Sequence, residues 1–153
     1  MSIKVVLAKA HGEQLSDPEI KKEFESVSAV YKDAELNYAD GTVNFVFVKG
    51  IYLHHERKMI TACLFVNRMD RTINELHGVI RLGFTNSEAR IATTTINFNK
   101  EFMGCLQTDE GLLVHLGIPV KGLKNNEEFR AGDITGTFSD VRVTFEEEQK
   151  VEE

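Results

Sequence analysis

Two strand-like runs of apolar residues lie between Lys58 and Phe84, on either side of a polar, charged connection. The first run is apolar on both faces: one face carries Ile60, Ala62, Leu64 and Val66, and the other carries Thr61, Cys63 and Phe65. A strand of this kind needs cover on both sides, so we expect a central strand. The second run has Leu76, Gly78, Ile80, Leu82 and Phe84 on its apolar face. This period of two predicts a strand with one face in the core, adjacent to the first strand.

Further strands are predicted on both sides of this pair. Residues 43–48 form a second run that is apolar on both faces, and strands are also expected over residues 2–10, 89–98, 112–118 and 133–146. The last of these changes phase at Ser139-Asp140, which predicts a β-bulge. Asp40-Gly41 favours a tight turn that joins residues 35–38 to residues 42–48. Residues 121–132 are predicted to form the longest loop, and residues 99–110 to be irregular.

One helix is predicted near the N-terminus. Ser16-Asp17-Pro18-Glu19 combines a capping side chain, a proline in the first turn and a glutamate for a capping box. The apolar residues Ile20, Phe24, Val27 and Tyr31 follow at helical spacing. Ser26 and Ser28 weaken a long helix, so we expect the helix to end near Glu25.

Some eight strands at hairpin-like intervals with one short helix predict a mainly β fold, a two-sheet antiparallel β-sandwich of immunoglobulin-like type. This is a likeness of architecture over roughly residues 36–145, and it implies no functional site. We expect a single domain over residues 1–146 and an acidic flexible tail over residues 147–153. No residue pattern indicates a second domain or an internal repeat.

Composition narrows the classes of partner. The chain has 153 residues and a formal net charge of -6, which disfavours a broad surface for nucleic acid or anionic membrane. No apolar run is long enough for a signal peptide or a membrane span, so we expect a cytoplasmic protein. In that compartment Cys63 and Cys105 are expected to be reduced, buried structural thiols.

Candidate chemistry is sparse. No phosphate-binding loop, dinucleotide fingerprint or nucleophile elbow is present, so we assign no catalytic, cofactor-binding or metal-binding residue and expect no cofactor. His54 and His55 are adjacent and would point to opposite faces of a strand. His77 and His115 occupy outward positions of two strands and form a polar patch if those strands pair. Acidic residues at strand ends would bind calcium only if they gather at one pole; they are Asp109, Glu110, Asp133 and Asp140.

Two hypotheses explain what packs on the outer face of the strands that are apolar on both faces. Either the segment of residues 20–31 packs on their outer face, or Phe45, Phe47 and Phe65 form an interface with a partner or a second copy. We predict a non-enzymatic protein-binding or assembly module, with a homodimer as one form. A small-ligand or carbohydrate-binding sandwich is the alternative, with Tyr31, Tyr38 and Tyr52 as its aromatic candidates. A metal-dependent hydrolase would require the histidines or aspartates to converge.

Overall fold

The computed structural model describes residues 3–8, 17–32 and 41–146. Its elements are, in chain order, β1 (Lys4–Leu7), α1 (Pro18–Lys32), β2 (Val43–Leu53), β3 (Lys58–Asn67), β4 (Ile73–Phe84), β5 (Arg90–Ile91), β6 (Thr94–Phe98), α2 (Lys100–Met103), β7 (Glu110–Lys121), β8 (Glu127–Arg130) and β9 (Ile134–Phe145). A 3-10 turn, Ala131–Asp133, precedes β9.

The nine described strands belong to one hydrogen-bonded sheet with the path β6-β4-β5-β7-β3-β2-β8. β9 pairs with the other side of β4, and β1 pairs with β7 as the single parallel neighbour in an otherwise antiparallel sheet. The mainly β prediction is therefore confirmed. The two-sheet, immunoglobulin-like arrangement is not confirmed, because β5 pairs with both β4 and β7 and so links the whole sheet.

β3 has the central position that its two apolar faces predict, since it pairs with β2 on one side and β7 on the other. The prediction that β4 lies next to β3 is wrong. β4 pairs instead with β5, β6 and β9. The side chain of Asn67 holds the connection by donating to the carbonyls of Arg71 and Leu106, each at 2.9 Å, and the chain then crosses to the far side of the core.

The main core lies between the strands around β3 and the strands around β4. Phe65 of β3 contacts Phe98 of β6 and Phe138 of β9, with ring centroids 5.4 and 5.3 Å away. Gly78 in β4 permits this packing, because a Cβ atom there would lie 2.2 Å from the Phe138 ring. Aromatic rings packed edge-on or tilted thus fix the two parts of the sheet against each other.

Helix α1 covers the opposite face of β3. Val27 is buried in a second cluster with Ala62, Leu64 and Val66 of β3, and Phe24 and Tyr31 pack against the same cluster. The prediction that residues 20–31 supply this cover is confirmed. The predicted end near Glu25 is wrong, because burial of Val27 and Tyr31 outweighs the weak helix propensity of the serines.

Other boundaries also differ from prediction. The predicted loop at residues 121–132 contains β8, because Phe129 is buried opposite Gly50 of β2. The predicted strand at residues 89–98 is divided into β5 and β6, and the predicted irregular segment at residues 99–110 contains α2. The bulge at Ser139-Asp140 is confirmed by a register shift in the β4–β9 pairing and by φ of 53° at Asp140. The predicted strand at residues 35–38 and the acidic tail lie outside the described residues.

No helix in the described part of the chain is long and apolar enough to cross a membrane.

Candidate binding groove beside the helix

A groove of about 640 Å³ lies between α1 and β2. We call it the α1/β2 groove. Its lining combines apolar and charged residues from the two elements: Glu19, Lys22, Glu23, Ser26, Val27, Val30, Tyr31, Val48 and Lys49. A groove of this size, with apolar walls and a few charged groups, has the general character of a binding site.

A bulge in β2 shapes one wall of the groove. Phe47 is opposite Cys63 and Lys49 is opposite Ala62, so Val48 is the extra residue. Both Val48 and Ala62 belong to the cluster beneath the helix. The bulge therefore places Val48 and Lys49 next to each other on the helix side of the sheet, where strict alternation would separate them.

The helix supplies the other wall. Val27 is 6% exposed and forms the floor, whereas Val30 is 63% exposed at the rim. Tyr31 is half-buried, and desolvation raises the pKa of its hydroxyl above the ordinary value, so the hydroxyl stays protonated near neutral pH. Val27, Val30 and Tyr31 therefore form the uncharged part of this wall, and Val30 is presented to solvent.

One carboxylate connects the helix to two strands at the groove's end. Glu23 Oε1 lies 2.5 Å from His115 Nε2, and Glu23 Oε2 lies 3.8 Å from Lys49 Nζ. Lys49 and His115 are both register partners of Ala62, whose small side chain lies between them. The three groups are partly exposed, so the contact positions Glu23 more than it stabilises the fold.

The structure places the three phenylalanines of the predicted interface in the main core. Phe65 is fully buried and Phe47 is 7% exposed. Phe45 is partly buried, with its ring centroid 5.4 Å from that of Phe65. The rings of Phe45 and Phe65 face β9 and β6, and all three side chains belong to the main core, so the structure gives them a packing role within the chain.

The two histidines of the predicted polar patch are not brought together. His77 lies on β4 opposite Asn97 and Arg142, on the face that alternates with the buried Leu76 and Ile80. His115 points toward α1 on a different part of the sheet, and β4 does not pair with β7. The patch required such pairing and does not form.

The remaining candidates are the tyrosines and the acidic residues at strand ends, and they lie in different environments. Tyr31 lines the groove, Tyr52 is 1% exposed with its hydroxyl 3.2 Å from His54 Nδ1, and Tyr38 lies outside the described residues. Asp109 pairs with Arg68, while Asp133 accepts a hydrogen bond from the Arg130 backbone N–H at 2.9 Å. Within the described residues no group of three or more histidines, cysteines or acidic residues could hold a metal ion.

The cysteines differ from each other. Cys63 is fully buried and its Sγ lies 3.5 Å from the Val114 carbonyl oxygen, whereas Cys105 is exposed, so the prediction of two buried thiols is wrong for Cys105. Burial raises the pKa of the Cys63 thiol far above its ordinary value, which keeps it neutral and unreactive.

The sequence reasoning did not identify the groove. Val30 lies off the apolar stripe of the helix and is unremarkable there. Gly50 follows the bulge at Val48 and Lys49, but a glycine in a strand does not by itself place a bulge at its neighbours. The one available signal is the length of the segment with helical spacing, which extends to Tyr31.

No protein-family model, curated protein or solved structure matches this chain.

Proposed function

We propose that this chain is a non-enzymatic module that binds another protein through the α1/β2 groove. The observation that supports the proposal is the exposed Val30 beside Tyr31 and Val48, an apolar surface bordered by Lys22 and Lys49. Apolar centres with a charged rim are typical of sites that take an apolar side chain from a partner.

The groove is better suited to binding a partner's side chain than to catalysis. Its charged groups are exposed or engaged with each other, as Glu23 is with Lys49 and His115. None of the groove residues has the buried carboxylate or activated nucleophile on which catalysis commonly depends. An aliphatic or aromatic side chain inserted between Val30 and Val48 would remove both valines from water, which is the main source of affinity at such sites.

A small-ligand-binding function is the alternative, and the groove's size supports it. Its volume of about 640 Å³ falls within the range of roughly 300–1,000 Å³ for ligand pockets. Tyr31 supplies an aromatic ring and a protonated hydroxyl there, as expected for one of the predicted ligand-binding tyrosines.

Photo-crosslinking in the cells that produce the protein distinguishes the two functions. The photo-reactive amino acid is placed at position 30, and position 25, which is exposed on the same helix, is the control. We expect a discrete protein adduct from position 30 and none from position 25. Ser26→Glu puts a carboxylate into the groove and should abolish the adduct, while Ala29→Glu, an exposed helix position outside the groove, should preserve it.

Equal labelling from positions 30 and 25 would remove the α1/β2 groove as the protein-binding site. The ligand-binding alternative is tested on the purified chain by native mass spectrometry. A bound compound of a few hundred daltons that is lost in Ser26→Glu would favour it over a protein partner.

We also propose a cytoplasmic location and a two-sheet sandwich as the working form of the fold. Cys105 is an exposed thiol, and exposed thiols persist most readily in a reducing compartment. The ring contacts of Phe65 with β6 and β9 support two packed layers joined by the short strand β5.

A further inference from the structure

Edge strands of this sheet differ in how they are protected. A strand edge offers unpaired N–H and C=O groups, and proteins usually protect it with charged residues, prolines or bulges. β8 carries Glu127, Glu128 and Arg130, and β9 carries Asp140 and Arg142 with a register shift. β1 carries Lys4, and the part of β2 that does not pair with β8, residues 43–48, ends at the register shift beside Lys49.

β6, with the sequence TTINF, has none of these devices. It pairs with β4 in continuous register from Thr94 to Phe98, and within the described residues no strand pairs with its other side. Thr95 and Asn97 are exposed on the outward face, while Ile96 and Phe98 are buried at 3% and 7% exposure. Four of its five residues are β-branched or aromatic, which favours extended pairing.

We propose that β6 is a self-association site, at which the β6 strand of a second copy pairs antiparallel about Ile96. This inference is independent of the α1/β2 groove, since β6 and α1 belong to different parts of the sheet. In this register Ile96 is opposite its own copy, Thr94 is opposite Phe98, and Thr95 is opposite Asn97. The pairing joins the two sheets across a two-fold axis.

The sequence of β6 is self-complementary in that register. On the inward face, the Ile96 pair and the two Thr94–Phe98 pairs are β-branched or aromatic neighbours, which stabilise cross-strand pairing. On the outward face, Thr95 and Asn97 can exchange a side-chain hydrogen bond twice. No charged residue meets its own copy, whereas Asp140 and Arg142 hinder self-pairing of β9.

The expected dimer is weak. A pair of five-residue strands buries far less than the roughly 800 Å² per partner of a stable interface. Association should therefore be reversible and appear only at high protein concentration.

The test is the solution mass of the full chain by sedimentation equilibrium from micromolar to about millimolar concentration. We expect the wild-type mass to rise from monomer toward dimer. Thr95→Lys and Asn97→Lys should each remain monomeric, because a lysine on the edge opposes pairing. Thr137→Lys is the matched control, an exposed threonine on β9 of the same outward face, and should associate like wild type.

The register is tested by crosslinking in a Cys105→Ser background, which removes the exposed native thiol. Mild oxidation should give covalent dimers of Thr95→Cys/Asn97→Cys and none of the control Thr135→Cys/Thr137→Cys. If the wild-type chain stays monomeric at every concentration, the proposal that a second copy pairs with β6 is refuted, even if the edge binds some other strand. Association that survives both lysine variants with native circular dichroism places the interface elsewhere and also overturns the proposal.

Discussion

Truncation of Phe65 tests whether this ring is a core residue of the chain. It is fully buried and its ring contacts those of Phe45, Phe98 and Phe138, at centroid distances of 5.3–5.4 Å. Phe65→Ala removes the buried ring and leaves a cavity, which typically costs about 3–5 kcal/mol. With a urea m-value of about 2 kcal/mol/M, the unfolding midpoint should fall by about 2 M.

The assay is urea unfolding followed by far-ultraviolet circular dichroism, since the chain has no tryptophan for fluorescence. Ile60→Ala, on the same strand but 37% exposed and on the opposite face, is the control and should cost only about 1 kcal/mol. If Phe65→Ala costs no more than Ile60→Ala and instead lowers the mass of an oligomer, Phe65 serves an interface and the described packing is incorrect.

Three further predictions concern the two cysteines and Asn67. Cys105 should react with a thiol reagent in the native state, while Cys63 should react only as fast as the chain unfolds. Because burial raises the Cys63 pKa, the unfolded thiol loses its proton first, and the free energy of unfolding should fall by about 1.4 kcal/mol per pH unit above about pH 8.5. A wild-type slope equal to that of Cys63→Ala would contradict this. Asn67→Ala should cost about 3 kcal/mol in urea unfolding, because its side chain makes three hydrogen bonds at 2.9 Å in a fully buried position. The control is Asn97→Ala, which is exposed on β6 and should cost less than about 0.5 kcal/mol. If Asn67→Ala costs as little as this control, the Asn67 side chain does not hold the β3–β4 connection.

The local residue pattern correctly predicted most of the strands and the first helix, but it failed where contacts with distant residues decide the structure. The period of two in β3 and β4 correctly predicts two strands, but the same pattern fits neighbours in a sheet and strands that face each other across a core. Asn67 directs the chain across the core through contacts with Arg71 and Leu106, and the second is 39 residues away. The helix end and β8 follow the same rule, since Val27 and Phe129 are fixed by partners on other elements.

The residue pattern alone predicts that the chain is mainly β and that β3 is central, and it offers residues 20–31 as one of two candidates for the cover of that strand. These follow from periodicity and from the need to bury apolar side chains, which are properties of the segments themselves. Contacts between elements place Phe45, Phe47 and Phe65 in the core, keep His77 and His115 apart, and bring Val30 and Val48 together in one groove. Strand pairing, register and bulges arise from contacts between residues distant in sequence, so no local pattern contains them.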